Sequence, residues 1–387
     1  MKIKKIILYI FLVITSLTAQ NIQLGVRPYY LVDKLEDSIL KEKLSSCKDK
    51  VFKRSDFSIS HRGAPLQFAE HTKESYEAAI RMGAGIMECD VVSTKDNELV
   101  CRHSECDLHS TTNILLTPLA KKCTQSFIPF DASTNTQASA KCCTSDISLE
   151  EFYTLSGKMD SSDVKATNVE DYVDSTPKFR TNLYANDGGT LMSHKDSIEL
   201  FKTHHLKMVP EIKTPDTKLI DKLVKEYIDA GVKNSDIFVQ SFNLTDLVYI
   251  IKMYPQLAEN LIYLQEEFDK DFKKDIDILG TLKQQGIRII APPLWALVKL
   301  DNNKKIVPSN YAKALKKYGF KIITWSLERS KITDTTKGGW YYQSISEIID
   351  NNSYILELLY VLDKEVGIIG AFSDWPATVT FYKNCIE

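Results

Sequence analysis

The chain has 387 residues, 43% of them hydrophobic, and a formal net charge of −2. That length supports one large domain or two ordinary ones, and the charge excludes a strongly basic nucleic-acid binder. Nucleic acid is therefore not an expected partner, and no protein partner is evident in the sequence.

The chain opens on MKIKKIILYIFLVITSLTAQN. Lys2, Lys4 and Lys5 make a positive start, Ile6 to Val13 an apolar stretch, and SLTAQ a small-residue cleavage site near Ala19. This pattern predicts a secretory signal peptide over residues 1–19 and a mature domain over 20–387. The competing reading, a membrane anchor, needs about 20 apolar residues, more than this stretch supplies. No later stretch is long and apolar enough either, so stable membrane insertion is not expected. An exported, periplasmic or secreted protein is.

All eight cysteines fall in the mature part. An even count in an exported chain predicts disulfides. Five of them crowd between Cys101 and Cys143, where local staples are expected, and Cys47 with Cys385 could clasp the two ends. Zinc is the alternative, although no paired C-x-x-C spacing supports it.

Eight short apolar runs follow in order: 57–63, 85–92, 208–213, 237–242, 261–265, 287–293, 320–327 and 368–376. Helical patterns separate several of them. Thr72 is a plausible N-cap for a helix with Tyr76, Ala79 and Ile80 on one face and Gly83 as its stop. Leu219 to Tyr227, stopped by Gly231, and Ser309 to Tyr318, stopped by Gly319, repeat the pattern. Eight strands alternating with helices predict an α/β fold, a (β/α)8 TIM barrel. A doubly wound open sheet is the alternative, but no Gly-rich turn follows the first strand. Residues 104–195 break the rhythm. They are polar and carry the cysteine cluster, and a structureless loop of that length is improbable. They read as an inserted, disulfide-stapled subdomain after the second strand, with SLEEFYTL (148–155) a short helix capped by Ser148.

In a barrel of this kind the chemistry sits at the C-terminal ends of the strands. His61 and Arg62 lie at the first such end. Glu88 and Asp90 are two apart on the second strand, so both project to one face while Cys89 projects to the other. Glu211 ends the third strand. Three carboxylates brought together repel one another, and a hard divalent cation relieves that cost, Ca²⁺ in preference to Mg²⁺. The turn at 94–97 sends the chain back towards His103, which places a second imidazole beside His61. Two imidazoles suit proton transfer near neutral pH. Arg62 and Lys213 add charge suited to a phosphate. Glu70 either steadies Arg62 or His61, or favours the following helix through its dipole. His71 reads as a supporting or capping residue. Gln240 and Ser241 end the fourth strand and could meet substrate, as could Trp325 at the end of the seventh, where an aromatic can also be plain core. His109, His194, His204 and His205 have no strand-end placement and read as structural.

At these residues the chain resembles the glycerophosphodiester phosphodiesterase family, and most nearly its exported branch. The resemblance runs through His61-Arg62-Gly63, Ala69-Glu70-His71-Thr72, Glu88-Cys89-Asp90, His103 and Glu211-Ile212-Lys213, and reaches SDWP near the end. Ala69 stands where the family usually has Pro. The resemblance implies a barrel that hydrolyses a small glycerophosphodiester to glycerol 3-phosphate and an alcohol. It implies His61 and His103 as acid and base, one divalent cation on Glu88, Asp90 and Glu211, and phosphate held by Arg62 and Lys213. Gln240 and Trp325 are candidate substrate contacts and Glu70 a support. The alternatives are a phospholipase C- or D-like enzyme acting on lipid, for which GGWYY (338–342) could supply a small apolar rim, and an inactive secreted binding barrel.

Overall fold

The structure, a computed structural model, describes residues 21–181, 184 and 188–387, so the expected signal peptide lies outside the described residues. Eight parallel strands form the centre. They are β1 (Ser55–Ser60), β2 (Ala84–Ser93), β3 (Lys207–Ile212), β4 (Gln240–Ser241), β5 (Ile262–Leu264), β6 (Ile289–Ala291), β7 (Lys321–Leu327) and β8 (Gly370–Ser373). Each pairs with the next, and β8 pairs with β1 through Ile59 opposite Phe372. That last pairing closes the barrel and excludes the open doubly wound sheet.

Alternation along the strands separates two cores. Ile59, Ile86, Val209, Ile262, Ile289, Ile323 and Phe372 fill the interior. Met87, Cys89 and Val91, the odd positions of β2, face the surrounding helices instead. The crossover helices start and stop where their sequences say. Thr72 accepts a hydrogen bond from the Ser75 amide at the head of α1 (Lys73–Arg81), and Gly83 follows it at φ 83°. Ser193 and Asp196 form a reciprocal cap on α2 (His194–Thr203). Thr217–Asp229 forms α3, and Ser309 caps Asn310–Lys317.

The segment between β2 and α2 builds a hydrophobic cluster of its own around Val92, Val100, Leu108, Ile114, Phe152 and Tyr172. Leu99–Cys101 returns antiparallel along β2, as a hairpin strand. Helix Leu149–Phe152 carries the expected Ser148 cap. The boundary expected at residue 195 falls inside α2, because the Ser193 cap starts that helix earlier.

All eight cysteines are paired: Cys47–Cys385, Cys89–Cys101, Cys106–Cys143 and Cys123–Cys142. No thiolate is left for zinc. The first bridge joins the segment after helix Ile39–Ser45 to the C-terminal helix Pro376–Ile386, and so ties the two ends together as expected. Among the described residues, no helix is long and apolar enough to cross a membrane.

Replacing Cys47 and Cys385 together by Ala removes a link between residues 338 apart in sequence. We expect a loss of about 2–5 kcal/mol in unfolding free energy, measured by urea denaturation without reductant.

Candidate active site

Strand register assembles the acidic cluster. Glu88 and Asp90 share the inner face of β2, Asp90 lies opposite Glu211 on β3, and Glu211 lies opposite Gln240 on β4. The carboxylates of Glu88, Asp90 and Glu211 are buried, with an oxygen of each within 4.8 Å of the others. Burial and repulsion from Asp90 push Glu88 well above the usual carboxylate range. Glu211 is pushed up to about 7, by burial first, with Lys213 and Asp90 acting in opposite senses. Burial would raise Asp90 too, but Lys213, His71 and Arg62 outweigh it and hold Asp90 well below that range. Asp90 Oδ1 and Gln240 Oε1 are buried without a hydrogen-bond partner. An oxygen-only set with two unsatisfied oxygens and too much negative charge fits a hard divalent cation.

Each acid is held from behind. His71 Nε2 lies 2.8 Å from Asp90 Oδ2, and its Nδ1 lies 2.8 Å from the Tyr76 hydroxyl. The Arg62 amide and Gln240 Nε2 donate to the two oxygens of Glu88 at 2.8 and 2.9 Å. Lys213 Nζ donates to Glu211 Oε1 at 2.6 Å.

The turn after β1 is tight. Arg62 and Gly63 both have positive φ, and a Cβ on Gly63 would lie 2.2 Å from Ser75 Oγ. Only glycine lets the chain double back there so that Arg62 can point its amide at Glu88. The Arg62 side chain donates to Glu70 Oε2 at 3.1 Å and approaches Asp90 at 3.4 Å. Of the alternatives for Glu70, the contact with Arg62 is the one formed.

His61 Nδ1 lies 2.6 Å from Asp374 Oδ1. Burial first, then Arg62, pulls the imidazole down to about 4, against the opposing pull of Asp374. His103 is depressed to about 2 by Arg62, burial and Lys213. Both rings are neutral at neutral pH. His61, His103, Arg62, Glu70, Glu88, Glu211, Lys213, Gln240 and Trp325 all line one cavity of about 740 Å³ at the C-terminal end of the barrel. Asp90 is not among the lining residues, but its carboxylate clusters with those of Glu88 and Glu211, which are. Ser241 is the exception. It is next to Gln240 on a strand, so it faces away and donates to Asp246 Oδ2 at 2.8 Å. His194 likewise points into the helical layer, 2.7 Å from Glu226. None of His109, His194, His204 and His205 lines the cavity.

Four important residues had no place in the sequence reading. Asp374 Oδ2 accepts from Arg180 Nη2 at 3.1 Å and from Arg329 Nη1 at 3.2 Å. Arg329 also reaches Glu70 at 3.3 Å and Asp160 at 3.1 Å, and Arg180 pairs with Asp160. Asp374, an acid at the end of the eighth strand within SDWP, could have been found by the same rule that found Glu211. Arg329 lies two residues past β7, beyond the strand-end positions that the sequence reading considered. Asp160 and Arg180 come from the segment between β2 and α2, where no strand-end rule applies.

Residues 61–337 match the glycerophosphoryl diester phosphodiesterase family. A protein of Arthroderma benhamiae, described as an extracellular protein, is 38% identical over 244 residues, which is 59% of this chain and 100% of that one. The glycerophosphodiester phosphodiesterase GDPD6 of Arabidopsis thaliana is 24% identical over 361 residues, 85% of this chain and 86% of that one. A crystal structure from Silicibacter pomeroyi bearing the same family description superposes with a TM-score of 0.54 over 89% of this chain and 98% of that one, at 13% identity, and so shares the fold.

Arg180→Ala leaves the buried Asp374 and the half-buried Asp160 with one cation fewer. We expect a loss of about 3 kcal/mol in unfolding free energy by urea melt. Lys225→Ala, which removes an exposed pair with Asp229, should cost under about 0.5 kcal/mol in the same assay.

Proposed function

The chain belongs to the glycerophosphoryl diester phosphodiesterase family, and from that premise we propose that it hydrolyses a glycerophosphodiester to glycerol 3-phosphate and an alcohol, with His61 and His103 as the proton-transfer pair. The observation that carries this is the meeting of both imidazoles, two cationic side chains and three buried carboxylates around one cavity. Glu88, Asp90 and Glu211 would hold one divalent cation, which when bound draws off phosphate charge as a Lewis acid. Three carboxylates with an amide oxygen beside them favour Ca²⁺, since Mg²⁺ usually keeps several waters and takes only one or two carboxylates.

The remaining roles belong to the chain's own side chains. Arg62 and Lys213 draw the phosphodiester in and neutralise its anionic oxygens. That anion in turn offsets the positive field that depresses His103, so the ring becomes able to carry a proton. Asp374 fixes His61 with Nδ1 protonated, which leaves Nε2 to accept a proton from the attacking oxygen. The other imidazole then protonates the departing alkoxide. Glu70 keeps Arg62 aimed. Gln240 holds Glu88 and has a free amide oxygen on the cavity side. The four disulfides and the extracellular relative support an exported protein that works in an oxidising compartment.

His61→Ala should cut kcat/KM on glycerophosphocholine at least about a hundredfold. A small change at an unaltered melting temperature would end the acid–base assignment. Chelation should abolish turnover, and Ca²⁺ should restore it better than Mg²⁺. Asp374 raises the basicity of His61, so Asp374→Asn should slow turnover and move the acidic limb of the pH–rate profile to lower pH.

A further inference from the structure

The cavity walls differ in chemistry. On one side the segment between β2 and α2 presents Ser110, Thr111, Asp160, Ser161 and Ser162. On the other, residues at and beyond the ends of β4, β5 and β7 present Phe242, Leu264, Trp325, Trp340, Tyr341 and Glu266. The hydroxyl-rich wall can hydrogen-bond a glycerol. The aromatic wall is mostly ring carbon, with the Tyr341 hydroxyl, the Trp340 indole N–H and the Glu266 carboxylate as its few hydrogen-bonding groups, so a glycerol placed there would replace fewer of its water partners.

The aromatic wall has a shape. The Trp340 and Tyr341 rings meet at 89° with centroids 5.1 Å apart, and Tyr341 meets Trp325 at 80° and 6.0 Å. Trp325 and Trp340 lie 5.6 Å apart, tilted by 31°. Rings at right angles make a corner of π faces rather than a flat stack. Trp325 is held in place by donating from Nε1 to the Ala291 carbonyl at 2.9 Å. Trp340 is 43% exposed, more than packing alone would favour for so large a ring. Glu266, exposed, lines the same cavity and forms no ion pair or hydrogen bond among the described residues. The cations facing the cavity are already matched: Arg62 by Glu70, Lys213 by Glu211, and Arg329 by Asp374 and Asp160.

We propose that this wall is the subsite for the departing alcohol, and that it takes a quaternary-ammonium head group of the choline kind. The proposal rests on the glycerophosphodiester reading above. A weakly hydrated cation is attracted to π faces and needs only one nearby carboxylate. An apolar acyl chain would gain from the rings but would strip water from Glu266 for nothing in return.

The test compares kcat/KM for glycerophosphocholine and glycerophosphoglycerol in the metal-loaded protein. The wild type should prefer the choline ester at least about tenfold, and Trp340→Ala should lower that ratio by roughly 3- to 30-fold. Glu266→Gln should lower it by about threefold or more, while Trp340→Phe keeps most of it. A wild-type ratio near one, or parallel losses on both substrates, overturns the proposal. So does a higher wild-type kcat/KM for the octyl ester of glycerol 3-phosphate than for glycerophosphocholine, which would assign the wall to an apolar alcohol. If no glycerophosphodiester is turned over, the hydrolytic reading fails, and saturation transfer from protein to the choline methyl signal decides the subsite alone. Transfer in the wild type that is lost in Trp340→Ala supports it, and no transfer in the wild type overturns it.

Discussion

Three carboxylates forced together under one end of a closed barrel set the terms for everything around them. Repulsion between buried like charges is expensive, and the surrounding groups answer it unevenly. Asp90 has His71, Arg62 and Lys213 close by and stays ionised. Glu88 receives two hydrogen bonds and Glu211 a single lysine, and both remain raised. The unrelieved cost of ionising all three together is what makes the proposed cation site physically sensible. It also accounts for two expensive backbone features, since Arg62 and His71 both adopt positive φ to reach Glu88 and Asp90.

A second network surrounds the first. It runs from Arg62 to Glu70, then Arg329, Asp160, Arg180 and Asp374, and ends on His61. Charges alternate along it, so each buried ion has a partner of opposite sign. Its members come from the loops after β1, β7 and β8 and from the segment between β2 and α2. That segment is therefore part of the active end rather than an ornament on it. It has its own apolar cluster and two internal disulfides. A wall so supported can hold hydroxyl groups steady against a substrate while the aromatic wall opposite remains more open.

Much of this was legible before the coordinates. Glu88, Asp90 and Glu211 stand out because three acids at the ends of neighbouring apolar strands converge, although any one of them alone reads as a surface carboxylate. His103 was found because a short turn can only send the chain back alongside the strand it left. The same reasoning failed at Ser241. Adjacent strand residues face opposite sides, so Gln240 and Ser241 could not both meet the cavity. It also failed to single out Asp374, although SDWP was noted and the strand-end rule that picks out Glu211 applies equally to an acid directly after the eighth strand. The two-sided reading of Glu70 could not be settled from a helix start alone.

The sequence by itself determined the local facts: which side chains share a strand face, where helices are capped, and that eight strand–helix units would form. Those follow from periods of two and 3.6 residues and from backbone geometry, which need no distant partner. Only the tertiary structure decided which distant groups meet. Closure of β8 onto β1 brings Asp374 against His61, and the folding of the segment between β2 and α2 brings Arg180 against Asp374. Such pairings depend on the burial and charge of both partners at once, and no residue carries its partner's position in its own neighbourhood of the chain.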